Sequence, residues 1–583
     1  MKKIPKKTRS SVVLIILLLP LMAGIVHGLN SRHPAAVLGV SVNANKTKRL
    51  KSVHYRKSRA LCGIPKKNRA RCFAEATLDD NGNLLSGQPA VVSGYGPTQF
   101  HTAYSLPCTP GGAVSSICST PGSFGPATIA IVDAGNITSG GGTVESSLQA
   151  YDTYFGLPAC TVANGCLSVV NESGATSPLP SSAGSSWELE IALDVEAAHM
   201  ICQTCKIVLV EASTNSYLDL GTANNTAASY SPIAISNSWG GSDALGFESY
   251  FKHPGIATIA STGDTGALTS GQAFPADIPE VVSAAGTSLN LNVDNTWAGE
   301  SVWSGSGGGC AANYSAPSWQ TSLSNWSANG CGSSRAYGDV SADANPSTGA
   351  AVNWSGTWYQ VGGTSLSSPL IAGMFALVGS IPTGTTASSI PYSSFTSANF
   401  HDVSNGSDCV TGGQLHCTAS SGFDAPSGLG APIGLGGFSP PPSQPSGFAA
   451  TVTDQSHVNL SWTASTGNKA ITGYRIYRNS SLLTTTSGTS YSNSGLSSNT
   501  SYTYHVIAVD SLGNLSPATT DSTVTTYYPA DINGDSHVNI IDFSLLASKY
   551  GQSGAGVGRA DINGDGTVNI LDFSLLASSY AAE

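Results

Sequence analysis

Basic charge is almost absent from most of this chain. Of 25 Lys and Arg in 583 residues, 17 fall in residues 1–72, a stretch with no Asp or Glu. Residues 93–437 carry three, Lys206, Lys252 and Arg335, against 22 acids. A surface this negative excludes nucleic-acid binding by phosphate neutralisation. Charged residues make up only 10% of the chain, which excludes a coiled coil or a solvated helical array. After residues 12–26 no apolar run approaches the roughly 18 residues of a membrane span. What is present is a 40% hydrophobic chain with 66 Gly and 30 Pro. That excludes general disorder, and the length predicts about three to five domains. With so few cations, protonating the carboxylates in acid leaves little positive charge to drive unfolding, so the body is expected to tolerate low pH.

Lys2, Lys3, Lys6, Lys7 and Arg9 precede the apolar run 12–26, and small residues follow. This reads as a secretion signal over 1–28, cleaved after Gly28, with a retained anchor as the alternative. The mature protein is expected to be secreted and free of the membrane. The twelve cysteines agree with export, falling in close pairs: Cys62/Cys72, Cys108/Cys118, Cys160/Cys166, Cys202/Cys205, Cys310/Cys331 and Cys409/Cys417. Cys202 and Cys205 could form a redox or zinc motif, but no second CxxC or His pair accompanies them.

Residues 29–92 form a short N-terminal arm, basic and acid-free as far as Cys72. From about residue 93, apolar strand-like runs at 127–133, 206–211, 233–236 and 256–260 alternate with helical patterns. This predicts an α/β region with a parallel sheet flanked by helices, spanning 93–437. The Pro-rich stretch 438–446 reads as a stiff linker. Residues 447–527 then alternate in period two, predicting an antiparallel β-sandwich. This stretch resembles a fibronectin type III module, with Trp462 and Tyr502/Tyr504 at its core positions.

The tail, 528–583, carries a 30-residue repeat: DINGDSHVNIIDFSLLAS at 531–548 returns as DINGDGTVNILDFSLLAS at 561–578. Oxygen ligands recur at Asp531, Asn533, Asp535 and Asp542, then at Asp561, Asn563, Asp565 and Asp572. His537 and Thr567 offer backbone carbonyls. Hard oxygen donors at this spacing suit Ca²⁺, one ion per copy, each followed by a helix. With a terminal Asp in place of Glu and no entering helix, the module is similar to a type I dockerin. The resemblance implies a cohesin-type scaffold partner and attachment near the cell surface.

Three motifs carry chemistry. GGTSLSSP at 362–369 puts Ser365 in a tight turn opening an apolar helix, where the helix dipole favours a developing oxyanion. SSWELEIALDVEAAH at 185–199 places Glu190 and Asp194 one turn apart on one helix face, so their mutual repulsion raises one pKa. Ser185 and Glu188 have capping-box spacing, giving Glu188 a structural role, and His199 reads as a helix C-terminal His. ASTGDTG at 260–266 sets Asp264 at the carboxyl end of a strand, facing the crevice where α/β sheets bind ligands.

Together these motifs resemble the sedolisin family, the serine-carboxyl peptidases with a subtilisin-like fold, over residues 93–437. The resemblance implies hydrolysis of protein and peptide substrates through an acyl-enzyme, fastest in acid. It makes Ser365 the nucleophile, Glu190 the general base and Asp194 its proton-sharing partner. Asp264 becomes a protonated oxyanion donor, while Asp133 and Trp239 extend the network. It also implies one Ca²⁺ held by Asp402 and Asp424 with the carbonyls of Val403, Ser420 and Gly422. One departure is the short arm, too small for the family's folded prodomain; the basic stretch 29–72 is expected to dock on the acidic catalytic surface until removed. Two rivals remain: a subtilisin, which lacks its Gly-flanked His motif here, and an inactive peptidase fold serving as a surface adhesin.

Overall fold

The structure, a computed structural model, describes residues 57–87, 92–107, 125–138, 141–242, 244–267, 274–411, 416–535 and 537–580. The expected signal, residues 29–56 and 88–91 of the N-terminal arm and the Cys108/Cys118 pair lie outside them. The other five cysteine pairs are disulfide-bonded.

The α/β region is built on an eight-stranded sheet. Its strands run Trp297–Val302, Val282–Leu291, Ala257–Ser261, Ala234–Asn237, Thr128–Ala134, Lys206–Ala212 and Leu167–Asn171, with Val340–Asp343 also paired to Val282–Leu291. Only the Trp297–Val302 pairing is antiparallel. The four apolar runs read from sequence all appear as parallel strands, displaced by about a residue. They are buried on both faces, which is why they read as continuous apolar runs rather than alternating ones.

Two helices carry Glu190, Asp194 and Ser365. Ser185–Ile201 is buried along nearly its whole length rather than amphipathic, so its carboxylates are core groups and not a solvated face. It ends at Cys202, whose bridge to Cys205 closes a two-residue turn into the strand Lys206–Ala212. Thr364–Val378 is likewise buried throughout. The two pack closely: a Cβ added at Gly373 would lie 2.6 Å from Ile201 Cγ2, so only glycine fits there.

The expected capping box is not formed. Gly184 is the N-cap of the Ser185–Ile201 helix, and Glu188 accepts bonds from the Thr138 N–H and hydroxyl and the Ser182 hydroxyl instead. Glu188 thus ties two loops to the helix. His199 stands in the last turn of that helix, as expected, and is buried there. Its Nε2 lies 3.2 Å from Asp152 Oδ1 and 2.9 Å from the Pro158 carbonyl, inside the protein.

The sandwich comprises a three-stranded and a four-stranded antiparallel sheet. Trp462 and Tyr504 are in its core, whereas Tyr502 is half-buried at the margin beneath Arg478. The Pro-rich stretch is not a free spacer. Ser439 is buried, and Asn514 of the sandwich donates to the Gly436 and Ser439 carbonyls. The tail forms two helices, Ile540–Lys549 and Ile570–Tyr580, around a small core including Val538, Leu546, Val568 and Leu576. Among the described residues no helix is long and apolar enough to cross a membrane.

Candidate active site

Ser365 is the second residue of the Thr364–Val378 helix, which starts from Gly363 at φ +97°. A Cβ on Gly363 would fall 1.9 Å from the Phe73 carbonyl oxygen and 2.6 Å from Asp264 Oδ2, so glycine is required on both conformational and steric grounds. Pro369 lies four residues after Ser365 and has no N–H to give its carbonyl. The Ser238 hydroxyl supplies that bond at 3.2 Å, and the Ser365 hydroxyl donates back to the Ser238 carbonyl at 3.0 Å. Ser238 belongs to the Asn-Ser-Trp-Gly segment, but sequence reasoning picked out only its neighbour Trp239.

Glu190 and Asp194 are fully buried, and neither makes a hydrogen bond of ordinary length. Burial pushes Glu190 well above the usual carboxylate range, helped by the charges of Asp194 and Asp133, while the nearby Ser365 hydroxyl pulls the other way. Asp194 is raised by burial and by Asp133, and lowered by Ser238. Asp133 and Glu211 sit opposite one another on adjacent parallel strands. Burial lifts Asp133 to about 7, and burial with the Asp133 charge lifts Glu211 to about 9. Glu211 was not anticipated. Trp239 does not bond to the acids; its indole N–H donates to the Val132 carbonyl at 2.8 Å and fixes the strand that carries Asp133.

Asp264 follows the strand Ala257–Ser261, as expected. Its Oδ1 accepts the Thr364 N–H at 2.8 Å and the Thr364 hydroxyl at 2.9 Å, which leaves Oδ2 facing the turn before Ser365. Burial, aided by the Glu75 charge, raises its pKa well above the ordinary value, against Thr364 and Arg71. Four residues from three separate segments therefore converge. A hydroxyl lies beside a carboxylate pair able to share a proton, and a carboxyl whose pKa burial raises lies beside a backbone N–H at a helix start. That arrangement can deliver a nucleophile to a carbonyl and stabilise the resulting oxyanion.

The described part of the N-terminal arm enters this cleft. It docks by backbone pairing within the groove, with Arg71 near the charges of Asp264 and Glu75, while most of the basic stretch 29–72 lies outside the described residues. Arg71–Cys72 pairs with Trp239–Gly240, and Glu75–Thr77 pairs with Thr357–Gly362. Nothing local in the sequence signalled this.

The calcium candidates also cluster. Oxygens of Asp531, Asp535 and Asp542 lie within 4.8 Å of one another, an arrangement of like charges that suits a cation at their centre. Asn533 and Asp535 are joined side chain to side chain, as are Asn563 and Asp565 in the second copy. There, Asp561 and Asp572 accept loop N–H groups as Asp531 and Asp542 do in the first. Thr567 O accepts from the Asn569 amide, and the His537 N–H donates to Asp535. In the α/β region, Asp402 accepts from the Gly422 N–H and Asp424 from the Ser420 N–H, while the Val403 carbonyl takes the Ser427 hydroxyl. Burial lifts Asp424 to about 6, with the nearby Asp402 charge a smaller contribution.

Comparison with known proteins gives the following. Residues 443–525 match the fibronectin type III domain and residues 529–579 the dockerin type I domain. Sedolisin of Pseudomonas sp. (strain 101) is 28% identical over 58% of this chain and 59% of its own length. Kumamolisin of Bacillus sp. (strain MN-32) is 30% identical over 42% of this chain and 47% of its own. This chain therefore spans only about half the length of these relatives. A solved Pseudomonas sedolisin (serine-carboxyl proteinase), complexed with two molecules of pseudo-iodotyrostatin, aligns at 24% identity over 59% of this chain and 96% of its own, with a TM-score of 0.47. The N-terminal part of the chain is thus a homologue of sedolisin and kumamolisin, and a fibronectin type III domain and a dockerin type I domain follow it.

Proposed function

We propose that this chain is a secreted serine-carboxyl endopeptidase that hydrolyses peptide bonds in acid. The observation that carries the reading is the convergence of Ser365, the buried Glu190/Asp194 pair and Asp264 at one point. Glu190 accepts the Ser365 proton as the hydroxyl attacks the substrate carbonyl, and returns it to the leaving amine. Asp194 shares the proton load. Protonated Asp264 and the Ser365 N–H stabilise the oxyanion, and water then hydrolyses the acyl-enzyme through Glu190. The catalytic region is 93–437. Three Ca²⁺ ions are proposed: one at Asp402, Val403, Ser420, Gly422 and Asp424, and one in each tail loop. Calcium would neutralise converging carboxylates and hold loops in place, with no part in bond cleavage. The dockerin domain would anchor the secreted enzyme to a cohesin-type scaffold, close to protein substrates at the cell surface.

The test is covalent labelling of the processed enzyme by a fluorophosphonate probe, with the adduct mapped by mass spectrometry. Labelling at Ser365 that is lost in Glu190→Gln is expected. A folded, processed protein that leaves Ser365 unlabelled at every pH would instead favour the adhesin.

A further inference from the structure

The acid network behind Ser365 does not end at Asp133. Ile129 and Ile131 pack into the core that includes Leu189, Ile191 and Val195 of the Ser185–Ile201 helix, whereas Val132 and Ala134 belong to the core on the other face of the sheet. Side chains alternate along a strand, so Asp133 faces that helix. Ile207 and Leu209 alternate with Val208 and Val210 in the same way, which sets Glu211 on the helix side of the next strand. Asp133 and Glu211 are direct cross-strand partners. Both are fully buried, and among the described residues none of their carboxyl oxygens has a hydrogen-bond donor.

No cation among the described residues acts on either carboxyl. On the flanking strand Leu167–Asn171, the residue opposite Glu211 is Asn171, whose amide is engaged by Ser173, Ala175 and the Pro178 carbonyl. Glu172 beside it takes the Ser213 N–H. On the Ser185–Ile201 helix, Glu188 is held by Thr138 and Ser182, Glu196 by the Asn353 N–H, and His199 lies against Asp152, which leaves Glu190 and Asp194. Asp219, on the Tyr217–Ser229 helix, takes the Thr214 hydroxyl. The strand Ala234–Asn237 and the Thr364–Val378 helix carry no titratable group. Two facing buried carboxyls without a cation do not both ionise, so one keeps its proton and the other stands as its acceptor.

Resting on the peptidase reading above, we propose that Glu211 is a positioning residue: its carboxyl keeps a proton and donates it in a hydrogen bond to Asp133, fixing the far end of the chain Asp133–Asp194–Glu190. With Glu211, Asp133 and Asp194 each protonated and donating toward Glu190, the single negative charge rests on the base. As Ser365 Oγ attacks, its proton passes to Glu190 and the charge moves to the oxyanion. When the leaving amine takes that proton, the charge returns to Glu190. Burial lifts Asp133 to about 7 and Glu211, with the Asp133 charge, to about 9, so Glu211 is the later of the two to give up its proton. A donor at Glu211 favours the charged form of the chain and so lowers the pH at which the base becomes available.

The experiment follows kcat/KM across the acid range for the processed native enzyme, Glu211→Leu and Glu211→Gln, with melting temperatures to establish that each is folded. Leu removes the donor, so its acid limb should move toward higher pH by on the order of half a unit, which lowers kcat/KM about threefold below the limb. Gln donates from its amide as a protonated Glu does and should restore the native profile. A Leu profile that superimposes on the native one, or a Gln profile displaced as far as that of Leu, would overturn the role of Glu211 and leave the peptidase reading standing. Native enzyme with no Ser365-dependent turnover at any pH would overturn the peptidase reading and this role with it. Infrared spectra of Ser365→Ala at about pH 8, below the loss of the Glu211 proton, read that proton without turnover and without the Leu variant. The protonated-carboxyl band should lose one component when Glu211→Gln is added; an unchanged band would overturn the proton held at Glu211.

Discussion

Ser238 and Ser365 hold each other through two reciprocal bonds, each hydroxyl donating to the other's backbone carbonyl, at 3.0 Å and 3.2 Å. The pair couples the turn that carries Ser365 to the strand segment that pairs with Arg71–Cys72. Pro369 makes this necessary, because it leaves the Ser365 carbonyl without a helical donor. Ser238→Ala is therefore expected to cost about 1 kcal/mol of stability, from one buried hydrogen bond. Thermal melts beside activity assays check this: a lower melting temperature with most activity retained separates Ser238 from Ser365, whose replacement by Ala should abolish turnover.

Glu190→Gln and Asp194→Asn keep shape but remove titration. Loss of the base should lower kcat on the order of 10²- to 10⁴-fold for Glu190→Gln. Both native carboxyls are raised by burial, so ionising them in the folded protein costs stability. The amide variants should gain melting temperature at pH 7 relative to the native protein and gain less at pH 4. Equal shifts at both pH values would show that these carboxyls do not titrate between them.

The same sign governs the buried Asp133 and Glu211. A carboxyl whose folded pKa is raised keeps its proton when the unfolded chain has lost it, so stability falls as pH rises through that interval. Unfolded carboxyls titrate near pH 4. The window therefore runs from about 4 up to about 7 for Asp133 and about 9 for Glu211. Melting temperature should be highest in mild acid and decline toward pH 9. The three basic residues of 93–437 leave little positive charge to oppose this at low pH.

Calcium removal should act on the tail. Without a cation, Asp531, Asp535 and Asp542 repel one another across less than 4.8 Å. Titration calorimetry on the calcium-free chain should lose two of three bound ions in an Asp531→Ala/Asp561→Ala variant, with peptidase activity unchanged. Full calcium stoichiometry in that variant would exclude the two tail loops as sites.

What the sequence made legible was local. Strand runs, the duplicated loops and the motifs around Ser365, Glu190/Asp194 and Asp264 depend on spacing over a few residues, and each lies where spacing put it. The misreadings are non-local. Glu188 has the right spacing for a capping box, yet Thr138 and Ser182 arrive from outside the helix to claim it. His199 sits at a helix end as its position predicts, but spacing gave no sign of its partners Asp152 and Pro158. The entry of Phe73 into the cleft is backbone pairing, which leaves no signature in side-chain pattern. The charge of the arm was readable, but not its register.

The most direct measurement is the pH dependence of kcat/KM for a peptide substrate from pH 3 to 9, on the processed enzyme beside a Ser365→Ala control. In the proposed mechanism Asp264 donates to the oxyanion only while protonated, and burial raises its pKa. Activity that peaks in acid, declines toward alkaline pH and vanishes in the control is expected. A peak at neutral or alkaline pH would contradict the carboxyl mechanism and return the base to a histidine.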